Sequence, residues 1–270
     1  MEKAYNSKLT LGLLLILIAL SPFGIFIYAF INVFVESVST ISTETLNYIT
    51  PKDLIFSITT SIISASLAIL IGSSLCLHFI RTNKHNFNYG ILNVVLVLPH
   101  LAFAYIVYLF FSDQGFLYRL FELVNFPIDF SIINDRYGIG IILNYTLKET
   151  PFVLLYLLAT QKKEMQNHIL TAKDLGASFS EIYLKVFLPL NIVQITTIAI
   201  VVFAFALGNY EVPFVLGANS PHFLSVSALE NFQSIDMEQN AASYIKVSLI
   251  FLIALTASIV LRLYARRFKC

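Results

Sequence analysis

The chain has 270 residues, 57% of them hydrophobic and only 12% charged, with a net charge of +1; soluble proteins carry about 25% charged residues. That composition excludes an ordinary soluble domain and describes a polytopic membrane protein. It also leaves no nucleic-acid patch, because the basic residues are accounted for by membrane topology.

Crossing a hydrocarbon core takes about 20 apolar residues at 1.5 Å rise each. Six such runs are predicted, at about 11–34, 54–80, 91–111, 139–160, 190–208 and 244–264, in one membrane domain covering 1–270. They are expected to be helices, since lipid leaves open backbone groups unsatisfied and the runs lack the two-residue alternation of a barrel. Lys3 and Lys8 precede the first run, which is longer than the core of a secretory signal and is read as a retained helix.

With six spans, one side of the membrane collects both termini and the basic residues around Arg81, Lys162 to Lys185 and Arg262 to Lys269, twelve of the seventeen Lys and Arg in all. The positive-inside rule makes that side cytoplasmic. Of the sixteen Asp and Glu, twelve fall in outer loops or within spans. The acidic outer face either suits a cationic substrate or completes the inside bias. Cys76 and Cys270 do not form a disulfide framework.

In chain order, the second run is rich in small and hydroxyl residues (Thr59, Thr60, Ser61, Ser64, Ser66, Ser73, Ser74), which predicts a close-packed interface. His78 and His100 have no metal-ligand spacing and are read as interhelical hydrogen-bonders. Lys148 and Glu149 lie about 14 Å into the fourth run, where an ionised group costs about 2.5–3.5 kcal/mol on insertion scales. Adjacent helical positions point about 100° apart, so each needs its own partner or a wet cavity. Pro151 removes a backbone hydrogen bond in the same turn and predicts a kink. Two readings stay open for this turn: a pathway or gate lining, or a structural ion pair that locks the bundle.

The connection 161–189 is not an ordinary loop. Thr171 with Asp174, and Ser178 with Glu181, each have capping-box spacing, and Gly176 stands between them as a helix terminator. A bent helical hairpin is predicted, its second arm running through Ile182, Tyr183 and Val186 to Pro189, with Ala172, Gly176 and Ala177 near the bend. It is built either to be gripped by another protein or to pack on its own bundle. Further on, GNYEVPF (208–214) sets Glu211 between the helix breakers Gly208 and Pro213, as a gate or substrate contact or as a plain helix exit.

TAKDLGASFSEIYLKVFLPL (171–190) resembles the signature loop of the permease subunits of binding-protein-dependent ABC importers of type I, E-A-A, three residues, Gly, nine residues, I-x-L-P. Ala172, Gly176, Leu188 and Pro189 match, Thr171 and Val186 stand at the first Ala and the Ile positions, and Lys173, Asp174, Leu175, Ala177 and Ser178 suit the usual filling. Leu170 occupies the position of the signature glutamate, so a polar contact of that carboxylate is missing. Segments 98–116, 147–159 and 208–217 look like parts of the permeases for polyamines, thiamine, sulfate or ferric iron.

The resemblance implies an all-α fold of six transmembrane helices with cytoplasmic termini, in a bacterial inner membrane. It further implies a second permease subunit of the same or another chain, a partner ATPase dimer that carries the ATP, and an extracytoplasmic substrate-binding protein. The chain itself has no G-x-x-x-x-G-K-[ST] phosphate loop, and no catalytic constellation or cofactor site is expected. The competing expectation is an ATP-independent secondary transporter or channel, which Lys148, Glu149 and Pro151 would also fit; the sequence shows no inverted repeat.

Overall fold

The computed structural model describes residues 24–25, 27–82, 90–124 and 132–267. Residues 11–23 and Phe26 of the first predicted span, together with Lys3, Lys8, Lys84, Lys269 and Cys270, lie outside the described residues.

Among the described residues every regular element is helical. An apolar helix α1 (Ile27–Ser39) is followed by the short α2 (Thr43–Asn47), whose Ser42 and Thr45 form a capping box. Next come α3 (Pro51–Thr82), α4 (Gly90–Val97), α5 (His100–Phe111), α6 (Phe116–Leu123) and α7 (Ile139–Thr160). The connection holds α8 (Lys163–Asp174), α9 (Phe179–Ile182), a π-helical turn (Tyr183–Phe187) and α10 (Leu188–Leu190). Then follow α11 (Ile192–Gly208), α12 (Glu211–Leu216), α13 (Leu224–Phe232) and α14 (Met237–Arg266).

Four stretches are long and apolar enough to cross a membrane: Pro51–Thr82, His100–Leu123, Ile139–Thr160 and Met237–Arg266. A fifth apolar helix, Ile192–Gly208, meets that length only together with Phe179–Leu190, which turns away from it by 82° and belongs to the connection. Among the described residues one of the predicted apolar runs is not a single rod. The run 91–111 is broken at Leu98 and Pro99, which fall outside both α4 and α5, although the Leu98 amide still donates to Val94 O. Proline at that position has no amide to donate, and the residue before it is pushed toward extended backbone.

The packing centre is the pair α3 and α7, with α11 against both. They cross closely at Gly72, where a Cβ would lie 2.8 Å from the Val153 side chain and 3.1 Å from the Thr150 carbonyl. Of the hydroxyl residues singled out on α3, Thr60, Ser61, Ser64 and Ser73 are buried in an interface, joined there by Ser57, whereas Thr59 and Ser66 are exposed. Ser64 returns its hydroxyl to the Thr60 carbonyl, which lets small polar residues pack without an aqueous wall.

Two apolar cores result. One joins Leu77, Leu154, Leu157 and Val202 to Ile169, Ile182 and Phe187 of the connection. The other gathers Phe56, Val107, Tyr145, Leu216 and Phe223 around the opposite ends of the helices.

Candidate functional site

The α4–α5 break lies directly against the two charges of α7. Lys148 Nζ donates to the carbonyls of Val95, Leu96 (3.3 Å) and Leu98 (2.5 Å), the unpaired C-terminal end of α4. Those groups carry the negative end of the helix dipole, so an ammonium there is both hydrogen-bonded and electrostatically matched. Glu149 turns the other way and reaches the first residue of α5, its Oε1 standing 3.1 Å from His100 Nε2. A carboxylate at a helix N-terminus is matched in the same sense. Both α7 side chains are buried, at 2% and 6% exposure. They do not pair with each other as one locking ion pair; each holds one side of the break. Pro151 is buried inside α7, which continues through it to Thr160.

His100 makes the interhelical hydrogen bond expected of it, whereas His78 contacts the Phe79 ring and has no interhelical hydrogen bond among the described residues. Around this turn lies a cavity of about 290 Å³, lined by Leu96, His100, Lys148, Glu149, Phe152, Val201, Val202 and Phe205. Its wall is aromatic as well as charged: the Phe205 ring lies 4.5 Å from the His100 ring and meets Tyr145 edge-on at 6.3 Å.

Glu211 opens α12 after α11 has ended at Gly208, so the helix break predicted there is present. Asn209 organises it, its Oδ1 accepting from the Val212 amide and the Tyr145 hydroxyl.

The connection 161–191 is a folded unit. At the end of α8 the Gly176 amide donates to Lys173 O and the Ala177 amide to Ala172 O, the paired bonds of a Schellman motif, with Gly176 at φ +83°. Ser178 then accepts from the Glu181 amide while the Glu181 carboxylate accepts from the Ser178 amide and hydroxyl. Those bonds from Ser178 hold the Glu181 carboxyl below the usual carboxylate range. Thr171 and Asp174 do not open a helix as their spacing predicts: they sit in the last turn of α8, because that helix starts eight residues earlier at Lys163. Leu175, at the tip, is 83% exposed, while Ala172 and Ala177 pack on the core. Leu188 and Pro189 form the start of α10.

The unit is fastened to α3. Lys173 Nζ donates to Arg81 O at 2.8 Å, the Arg81 guanidinium lies 5.6 Å over the Phe179 ring, and the Tyr183 and Ser73 hydroxyls are 2.8 Å apart. A second fastening is the buried Asn191 at the 82° bend, which accepts from Gln161 Nε2 at 2.6 Å and donates to Phe187 O.

Three features escape the sequence reading. The π-helical turn and the Gln161–Asn191 bond have no local signature. Lys246 does: it is a lysine at the start of the predicted run 244–264, 3% exposed and donating to Ser227 Oγ at 2.6 Å, and a buried charge there needs a partner as Lys148 does.

A helical membrane bundle interrupted around buried charges, with a stiff folded connection at one end, has the build of a membrane transport protein. A family model described as "Binding-protein-dependent transport system inner membrane component" matches residues 68–269, and the chain belongs to that family. It is a multi-pass inner-membrane permease of the type I ABC-importer kind. It is similar to the inner membrane ABC transporter permease protein YnjC of Escherichia coli (strain K12), 28% identical over 168 residues, or 62% of this chain and 32% of that protein. The chain thus spans about a third of the length of that curated relative.

Proposed function

We propose that residues 1–270 are one membrane-spanning subunit of an ABC importer that carries a small solute inward. In this reading six helices cross the membrane, at about 11–34, 54–80, 91–111, 139–160, 190–208 and 244–264, with both termini cytoplasmic. The connection 161–189 docks on a separate ATPase dimer that binds and hydrolyses ATP, a second permease subunit completes the pathway, and an extracytoplasmic binding protein delivers the solute.

The observation that carries this reading is the connection itself. Its two arms are closed by a Schellman motif and a capping box, its apolar tip at Leu175 faces outward, and its base is fastened to α3. A loop that only joined two spans would need none of this, whereas a lever that receives motion from a partner must be stiff and tied to the helices it moves. Thr171, Ala172, Lys173, Asp174, Gly176, Ala177, Ser178, Leu188 and Pro189 form that lever. Leu170 in place of the signature glutamate makes its contact one-sided, with the second permease subunit supplying the carboxylate. Lys148 has its protons engaged by backbone carbonyls and serves the break, which leaves Glu149 as the pathway residue of that turn, with Glu211 nearer the mouth.

The test is to extract the tagged chain from its host in mild detergent and identify co-purifying chains by mass spectrometry. A stoichiometric ATPase with a phosphate loop supports the importer. A chain that purifies alone and moves solute in vesicles on an ion gradient establishes the ATP-independent transporter instead.

A further inference from the structure

The cavity at the α4–α5 break has an asymmetric set of free groups. An ammonium has three protons to donate, and Lys148 directs its own to three backbone carbonyls, Val95, Leu96 and Leu98. No donor is left on it for an anion. Glu149 is the reverse case: Oε1 meets His100, while Oε2 has no hydrogen-bond partner among the described residues, and the residue lines the cavity. A carboxylate with one free oxygen beside the phenyl rings of Phe152 and Phe205 recognises a positively charged group twice, by ion pairing and by cation–π attraction.

Tyr145 lies one helical turn before Glu149 and bonds Asn209, at the base of the helix α12 that Glu211 opens. Calcium and magnesium take six or more oxygen ligands and zinc three or four protein ligands, and one carboxylate with one imidazole supplies neither set. Among the described residues no group of three His, Cys, Asp or Glu side chains gathers to hold a metal ion.

We infer that the cavity between Glu149, His100, Phe152 and Phe205 is a selectivity site for a small organic cation such as a protonated amine. This rests on the reading of the chain as a solute pathway and adds the charge of the solute. The cavity volume of about 290 Å³ lies near the lower limit for sites that enclose a small molecule.

The test uses the full chain with its co-purifying subunits in lipid nanodiscs, without ATP. An apolar carbodiimide, in large excess over the probes so that none of them depletes it, is allowed to react with the Glu149 carboxyl. Modification of the Glu149 peptide, counted as the N-acylurea together with any amide formed by an added amine, is read by mass spectrometry. Three probes of one size and different charge are compared: benzylammonium, benzyl alcohol and benzoate. Benzylammonium is expected to slow labelling several-fold, and the other two to leave it unchanged. Equal protection by all three, protection by benzoate, or a Glu149 that never reacts overturns the inference, the last because Oε2 must face an accessible cavity.

As a second measurement, benzylammonium is expected to raise the melting temperature of the wild type, and the rise is expected to be lost in Glu149→Gln; a rise that survives that substitution also overturns it. Should Glu149→Gln fail to fold, the labelling of the wild type decides alone. Cation protection in a complex with no ATPase sinks the importer reading and leaves this one standing. Benzoate protection in a complex with an ATPase does the reverse.

Discussion

The Tyr183 hydroxyl in the π-helical turn lies 2.8 Å from the Ser73 hydroxyl in the last third of α3. The turn widens the helix by one residue per bond, and Phe179, Tyr183 and Phe187 stack along it at ring separations of 6.4 and 5.8 Å. The tie therefore joins the connection to a helix more than a hundred residues away, while the span that follows it in sequence departs at 82°. In the proposed lever, motion at Leu175 would reach α3 through this tie. Replacing Tyr183 with Phe keeps the stack and removes one hydrogen bond, a loss of about 1 kcal/mol. Solute carried per ATP hydrolysed is expected to fall while ATPase activity persists; an unchanged ratio contradicts the role of the tie.

Gly176 has φ +83° and open space where a side chain would stand, so any substitution acts through the backbone and not through a clash. A β-branched residue is poorly tolerated in this region, at a cost of about 1–2 kcal/mol, whereas Asn adopts it more readily. Gly176→Val is expected to shift α9 relative to α8 and uncouple hydrolysis from uptake, with Gly176→Asn close to wild type. Equal coupling in the two variants would remove the turn from the mechanism.

The Glu181 carboxyl is held below its ordinary value of 4.5 by bonds from Ser178, so its contribution to the capping box is present above that value and is lost as the pH falls through the depressed one. The melting temperature is expected to drop on acidification into that range. In Ser178→Ala, which lacks the hydroxyl, it should start lower and show a smaller acid step; an identical acid step in both proteins assigns it to other carboxylates.

How far the sequence could be read depends on the range of each interaction. Helix formation and the terminators at Gly176 and Gly208 are short-range, carried by composition, a glycine at positive φ and a capping spacing, and all are visible in the chain. The capping box at Ser178 is equally local, yet the same spacing at Thr171 misleads, because a box signals a start only where no helix is already under way, and α8 begins at Lys163. The break at Leu98 and Pro99 is marked by its proline but masked by the continuous apolar run around it. What Lys148 and Glu149 bind is not local at all: their partners lie about fifty residues earlier, so the sequence gives the need for partners and only the fold supplies them.

Those partners separate the two charges experimentally. Lys148→Met leaves the carbonyls of Val95, Leu96 and Leu98 without their donor inside the bundle, where each lost charged hydrogen bond is worth about 1.5–3 kcal/mol. The α4 side of the break then loses its hold on α7, and the expected result is a protein that melts at lower temperature and reaches the membrane in smaller amount. Glu149→Gln, in contrast, keeps an oxygen and an amide to meet His100 and changes little in shape. It is expected to remain in the membrane at wild-type level, melt close to wild type, and lose most of its uptake, because only the charge in the cavity is gone. Thermal unfolding and uptake are measured on both. If Glu149→Gln transports normally, the pathway role fails; if it unfolds like Lys148→Met, the charge is structural, and the two residues are a single clamp on the broken helix.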